Sequence, residues 1–600
     1  DSTRTLIYGG IIADVSGATG TLTKSGAGTL TLSGTNTYTG ATTISAGTLS
    51  ISADANLGTA PGSATAASLV LNGGTLLTTA DITLNSNRGI SLAAASTINV
   101  DTGDTLTYAG IINDGPGSFA LTKAGAGTLV LSGANTYDGG TTVSGGTLRA
   151  GIASSGSAGS VSNGPFGTGT VTVGSGFTID LGGFNLANAL NLSGAGIGSN
   201  GALINSGAAA TASGAVTIAA NTSIGGSGAI TMSNAISAST HTVSFVNGAA
   251  VTAENTSNNI ASVTITNSAL VLKTTAALTV NASSLSGVTT LQTVSAGRDI
   301  TVSGAITNNT NGNTLTLMAS RDVLVSAAIA GSSGKSLTTN LYSDVDNTGG
   351  GGFKSTVSTA SISTFGGNIT IRGGTTDTTA GCAASFACIA GHASHGGSQA
   401  DPIGVLIWAP LNAAGGNIAV YGRGNPTSTT AGVGIHIDVA GTVLSTSGTG
   451  TIILDGVSTG AQRGIYHVQG DITAGTGSIS FTASALNTGA FSGYRMNAGS
   501  ITSSGALSIS GTGGSNEYGV WMYGAGSITV GGDITINGQN ASRNIGIYIN
   551  GGKVIRSTAG NISVTAVGTQ GMYFDGSLIA GNHATTPTAG GSVTMNLTGN

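Results

Sequence analysis

Charge is scarce in this chain: Asp, Glu, Lys and Arg make up 6% of its 600 residues, against roughly 25% in ordinary soluble domains. The 17 basic residues are scattered and the formal net charge is −5. With no basic stripe to neutralise phosphates, a nucleic-acid partner is not expected. Glutamate occurs only as Glu254 and Glu517, far apart in sequence, so no carboxylate pair is evident for acid–base cleavage of a polysaccharide. Asp344 with Asp346, and Asp101 with Asp104, read as turn formers. No apolar run approaches the ~18 residues of a membrane-spanning helix, so no membrane span is expected, and no signal-peptide pattern is present. Both ends fall mid-pattern, so the expectation is an excised segment, its export signal and any anchor lying outside it.

Proline is also rare, with 7 residues, whereas glycine reaches 103. Low charge and abundant glycine can mark disorder. Here apolar residues reach 39% and alternate with Thr and Ser at strand spacing, so a core can be buried. No segment sustains a 3.6-residue period, which excludes a compact helical domain.

Self-similarity is the main signal. Residues 5–51 and 105–149 are two versions of one block: Leu6, Tyr8 and Ile11 match Leu106, Tyr108 and Ile111, and Lys24, Tyr38 and Leu49 match Lys123, Tyr137 and Leu148. GRDITVSGAI from Gly297 is echoed by SRDVLVSAAI from Ser320, and GGNITIRGG from Gly366 by GGNIAVYG from Gly415. In the last third, Gly404, Gly434, Gly464, Gly493, Gly519, Gly546 and Gly571 each head an apolar-rich tetrad, at steps of 30, 30, 29, 26, 27 and 25 residues. Two more strand-like runs fall within each step. Three short strands per roughly 27 residues describe one triangular coil of a parallel β-helix, here expected to be right-handed, all-β, with glycines at corners where φ turns positive. At ~4.8 Å per coil, twenty-odd coils would give a rod on the order of 100 Å. The expected organisation is one continuous solenoid: repeat coils over 1–250, further coils over 251–374, a loop protruding over 375–402 and regular coils over 403–600.

The segments 21–51 and 119–150, the first reading TLTKSGAGTLTLSGTNTYTGATTISAGTL, resemble the passenger-associated repeat of autotransporter adhesins. The stretch from Asn188 is similar to the linking coils of the same passengers, and the AGRDITVSGAI and GGNITI patterns from about residue 285 resemble filamentous-haemagglutinin-like adhesins. The resemblance implies export to the bacterial cell surface through an outer-membrane translocator outside this segment. It also implies adhesion or biofilm formation, and supplies no catalytic residues. Expected partners are a host-cell or matrix receptor, a glycan, or like rods. No cofactor and no enzymatic activity are expected. A non-binding stalk presenting a tip elsewhere, and a polysaccharide-processing β-helix, are the alternatives.

Two candidate sites follow. Cys382 and Cys388, with His392 and His395 nearby, lie in a segment that breaks strand alternation. A local Cys382–Cys388 disulfide is the first reading, since five intervening residues close that ring easily, and a four-ligand zinc site the second. Trp408, Tyr466, Tyr494, Trp521, Tyr523, Tyr548 and Tyr573 recur about once per coil. Pointing outward they form a ladder able to stack on sugar rings. Pointing inward they are core stacks, and a one-residue shift of register separates the two.

Overall fold

The computed structural model describes residues 4–248, 250–346, 351–373, 389–390, 403–424, 432–458, 462–486, 491–515, 517–540, 545–581 and 591–598. Among these residues no α-helix forms; short 3-10 turns stand at Asp54–Leu57 and Ile197–Ser199. The chain divides into two compact units, Asp1–Val271 and Leu272–Asn600, and each is built as a parallel β-helix. A short hairpin, Ser155–Ser157 against Ser160–Asn163, is antiparallel.

In the second unit three ladders run from coil to coil. In one, Ile452 pairs with Ile479, Ile479 with Leu507, Leu507 with Ile534 and Ile534 with Ile562, at steps of 27 or 28 residues. A second joins Ile472, Ile501, Ile528 and Ile555. The third joins the seven glycine-led tetrads in order. Because side chains alternate along a strand, in-register pairing stacks every aliphatic on its like. Ile452, Ile479, Leu507, Ile534 and Ile562 are all buried. Each such side chain stabilises its coil by about 1.5–3 kcal/mol. The first unit follows the same rule, with Leu106, Leu129, Leu148, Ile179, Leu203 and Ile224 forming one buried column.

The tetrad glycines are not there for positive φ, as the sequence suggested. Of the seven, only Gly571 has it (63°). The others sit where one strand of a coil runs against the backbone of another. A Cβ on Gly546 would lie 2.6 Å from the Gly538 carbonyl oxygen, and one on Gly464 2.5 Å from the Ser484 nitrogen. The facing column is correspondingly small: Gly456, Ala483, Gly511, Gly538 and Ala566 are successive register partners. Corner glycines with positive φ do occur in the duplicated block, at Gly47 (65°) and its counterpart Gly146 (59°).

The duplicated block also buries polar residues. Lys123 is fully buried and Lys24 nearly so. Lys123 Nζ donates to the carbonyls of Ala124 (2.8 Å), Gly125 (2.8 Å) and Gly145 (3.1 Å). Lys24 Nζ donates to those of Gly26 and Ala46. Asn36 and Asn135 each accept from a backbone N–H of one coil (Ile12, 2.8 Å; Ile112, 2.7 Å) and donate to a carbonyl of another (Asn56 and Pro165, both 2.6 Å). Tyr38 and Tyr137 are buried with their hydroxyls 2.7 Å from Thr42 and Thr141. The lysine and asparagine side chains satisfy backbone groups that the corners leave without strand partners, which would otherwise cost about 1–3 kcal/mol each.

Candidate functional site

Outward positions of the tetrad ladder form a column in which His436 pairs with Tyr466, Tyr466 with Arg495, Arg495 with Trp521, Trp521 with Tyr548 and Tyr548 with Tyr573. Their neighbours on either side face the core: Ile547 and Ile549 are buried, as are Val520 and Met522. Same-facing side chains on adjacent parallel strands stand ~4.8 Å apart, close to a ring-stacking distance. His436 and Tyr466 stack with centroids 5.1 Å apart, and Tyr548 and Tyr573 at 4.7 Å with planes 14° apart. The Arg495 guanidinium lies 4.0 Å above the Trp521 ring and 5.4 Å from that of Tyr466, a cation–π bridge within the ring series.

Flanking residues widen the column. Tyr518 stands 5.2 Å from Trp521 and 4.7 Å from Tyr548. Tyr523 stands 5.4 Å from Trp521, and its hydroxyl accepts from Arg495 Nη2 at 2.8 Å. Arg495 Nε donates to Asn497 Oδ1 (3.0 Å), whose Nδ2 donates to the Tyr466 hydroxyl (2.9 Å). Arg463, just ahead of its tetrad glycine, lies 4.7 Å over Tyr466 and 5.5 Å over Phe491. Two guanidiniums thus share one tyrosine ring, and among the described residues neither forms an ion pair. Burial, then the neighbouring Arg495, push the Arg463 guanidinium below its ordinary pKa, against the pull of Glu517. The Glu517 carboxylate accepts from Ser492 Oγ at 2.9 Å.

Among the residues expected from sequence, Tyr466, Trp521, Tyr548 and Tyr573 lie in the outward column and Tyr523 beside it. Tyr494 does not: it is fully buried and stacks on Phe481 at 5.5 Å. It directly follows Gly493, so alternation turns it inward and gives the outward place to Arg495. Trp408 stands apart from the column, with the Lys354 ammonium 5.0 Å from its ring. Cys382, Cys388, His392 and His395 lie outside the described residues. Sequence reasoning missed Arg463, Arg495, Tyr518 and His436. Position two after each tetrad glycine was the available signal for Arg495 and His436, and the search followed aromatic identity instead. Among the described residues no three His, Cys, Asp or Glu side chains group as metal ligands. No helix among them is long and apolar enough to cross a membrane.

Several ionisable groups within this unit are buried, among them Asp322, Lys553, His467 and Asp455. His467 is enclosed beside the column, its Nε2 2.8 Å from the Gly470 carbonyl oxygen, and burial holds its imidazole down to about 4. Asp455 pairs in register with Tyr421, and burial pushes its carboxyl up to about 6.

Comparison with known proteins places the first part of the chain. Residues 22–51 and 121–150 match the family model of the passenger-associated-transport-repeat, the segments that bury Lys24, Tyr38, Lys123 and Tyr137. The adhesin BmaC autotransporter of Brucella suis biovar 1 (strain 1330) is 42% identical over 106 residues, 17% of this chain and 3% of that protein. The chain therefore spans a small fraction of the curated relative that it matches. No solved structure matches it significantly.

Proposed function

From a chain that carries the transport repeats of autotransporter passengers and is related in part to an autotransporter adhesin, we propose that it is a surface-exposed section of an adhesin passenger. It attaches the bacterium to a host, matrix or neighbouring cell surface. The observation that carries this reading is the outward column of Tyr466, Arg495, Trp521, Tyr548 and Tyr573. Partly exposed aromatic edges in a fixed row on a sheet suit shallow binding of sugar rings or of apolar side chains, with little ordering cost. The role is binding; no catalytic step is assigned. Export would pass through a translocator belonging to the parent protein.

A second reading, a non-binding stalk, is favoured by another face of the same unit, where Thr473, Thr502 and Thr529 form a plain hydroxyl row. Attachment separates the two. Beads coated with the chain are scored against host cells, matrix proteins and a glycan array. Saturable binding that is lost in the double variant Trp521→Ala, Tyr548→Ala supports the adhesin. A folded chain that binds none of these surfaces leaves the stalk.

A further inference from the structure

We propose that the Arg463–Arg495 platform receives the carboxylate of an acidic sugar residue, whose ring lies along the outward edges of the adjoining aromatic column; this deepens, and rests on, the adhesin reading. Charge is the first ground. The chain is net acidic, at −5, yet two guanidiniums sit over one tyrosine, 4.7 and 5.4 Å from its ring, without an ion pair among the described residues. Like charges held together in a half-desolvated place are stabilised by a bound anion.

Geometry is the second ground. Arg495 is oriented by Asn497 through Nε and by Tyr523 through Nη2, which leaves Nη1 for a ligand. Among the described residues, Arg463 Nη1 donates to the neutral Gln462 amide oxygen, at 3.0 Å. A planar guanidinium fork fits a carboxylate better than a lysine ammonium would. Next along the column, Trp521, Tyr548 and Tyr573 follow at successive coils, edge-on or stacked on one another, so that their outward edges line the row. A cationic end and an aromatic run in one row match a saccharide that carries its acid beside an apolar ring face. A neutral glycan would bring no counter-charge to Arg495, whereas Arg463 already feels the pull of Glu517.

The test uses the whole chain immobilised for biolayer interferometry, with oligogalacturonate and oligosialate as probes, each compared with its own methyl ester. The expected result is that one free acid binds and its ester binds at least about tenfold more weakly, with affinity falling as salt rises. Which acid binds distinguishes a uronic from a sialic source. Arg495→Gln should bring the acid down to the level of its ester while the unfolding midpoint holds. Should that variant misfold, the acid–ester ratio of the unaltered chain still decides. Equal binding of acid and ester, a preference that survives Arg495→Gln, or no binding of either acid overturns the proposal. In any of these cases bead attachment that still depends on Trp521 and Tyr548 keeps the adhesin reading; loss of attachment as well removes both.

Discussion

The coils of the duplicated block and the coils around residues 435–574 use the same ladder with opposite emphasis. In the block the distinctive side chains, Lys24, Asn36, Tyr38 and their counterparts Lys123, Asn135, Tyr137, are turned inward and hydrogen-bonded to backbone or to threonine. The outward positions there are plain, such as Thr105, Thr128 and Thr147 in one row. In the later coils the inward rows are mostly Ile, Leu and Val, and the distinctive residues face out. The difference teaches that what repeats inside a parallel ladder fixes the corner, and what repeats outside it makes a surface. Conservation of type along a row therefore has two meanings, and burial tells them apart.

The contrast can be broken at several points. Tyr137→Ala removes a fully buried ring and its hydroxyl contact with Thr141; a loss of about 3–5 kcal/mol is expected, read as faster hydrogen exchange confined to the neighbouring coils, since each coil touches only its neighbours. If exchange accelerated evenly through both units, the local account would be wrong. Gly546→Ala should cost about 1–3 kcal/mol by forcing backbone apart, whereas Gly552→Ala, which meets no atom within 4 Å but has φ of 69°, should cost less. Equal urea midpoints for the two variants would refute the close-approach argument.

Acidity sharpens the same comparison. Burial holds Lys123 down to about 8, though its three carbonyl partners favour the ammonium. Between pH 8 and the ordinary lysine value the unfolded chain binds more protons than the folded one, so the first unit should gain stability as pH rises through that window. His467, held down to about 4, makes the second unit lose stability as pH falls from its ordinary value near 6.5 toward 4. Asp455, pushed up to about 6, acts the other way, adding stability as pH falls from 6 toward its ordinary value. In His467→Gln the loss contributed by His467 should disappear, so thermal unfolding should favour the variant over the unaltered chain increasingly as pH falls from 6.5 to 4.5; a difference that stays constant over this range would contradict this. The smallest effect is expected for Tyr573→Ala, about 0.5–1.5 kcal/mol, because its ring is 44% exposed and one stacking partner is lost.

Much of this architecture was readable in advance. The tetrad steps gave the coil length, whereas the sequence left the facing of the aromatic series open between outward and inward. Reading failed where one residue type serves two physical ends. A glycine chosen for close backbone approach, as at Gly464, looks in sequence like one chosen for positive φ, as at Gly47. Tyr494 looks like Tyr548 until its distance from the glycine is counted. Lys123 gave no sign of its burial, because lysine is ordinarily a surface residue and one of its three carbonyl partners, Gly145, comes from a corner 22 residues away.

The small-residue column of Gly456, Ala483, Gly511, Gly538 and Ala566 bears on how such a molecule varies over time. Each coil presents to the next the same three kinds of inward contact, aliphatic, aliphatic or aromatic, and bare backbone, so one coil is an acceptable neighbour for almost any other. Unequal recombination that inserts or removes a whole coil preserves every kind of contact, whereas a cut within a coil sets side chains against main chain at the crowded corner. Length is thereby free to drift between lineages, while the cross-section stays fixed.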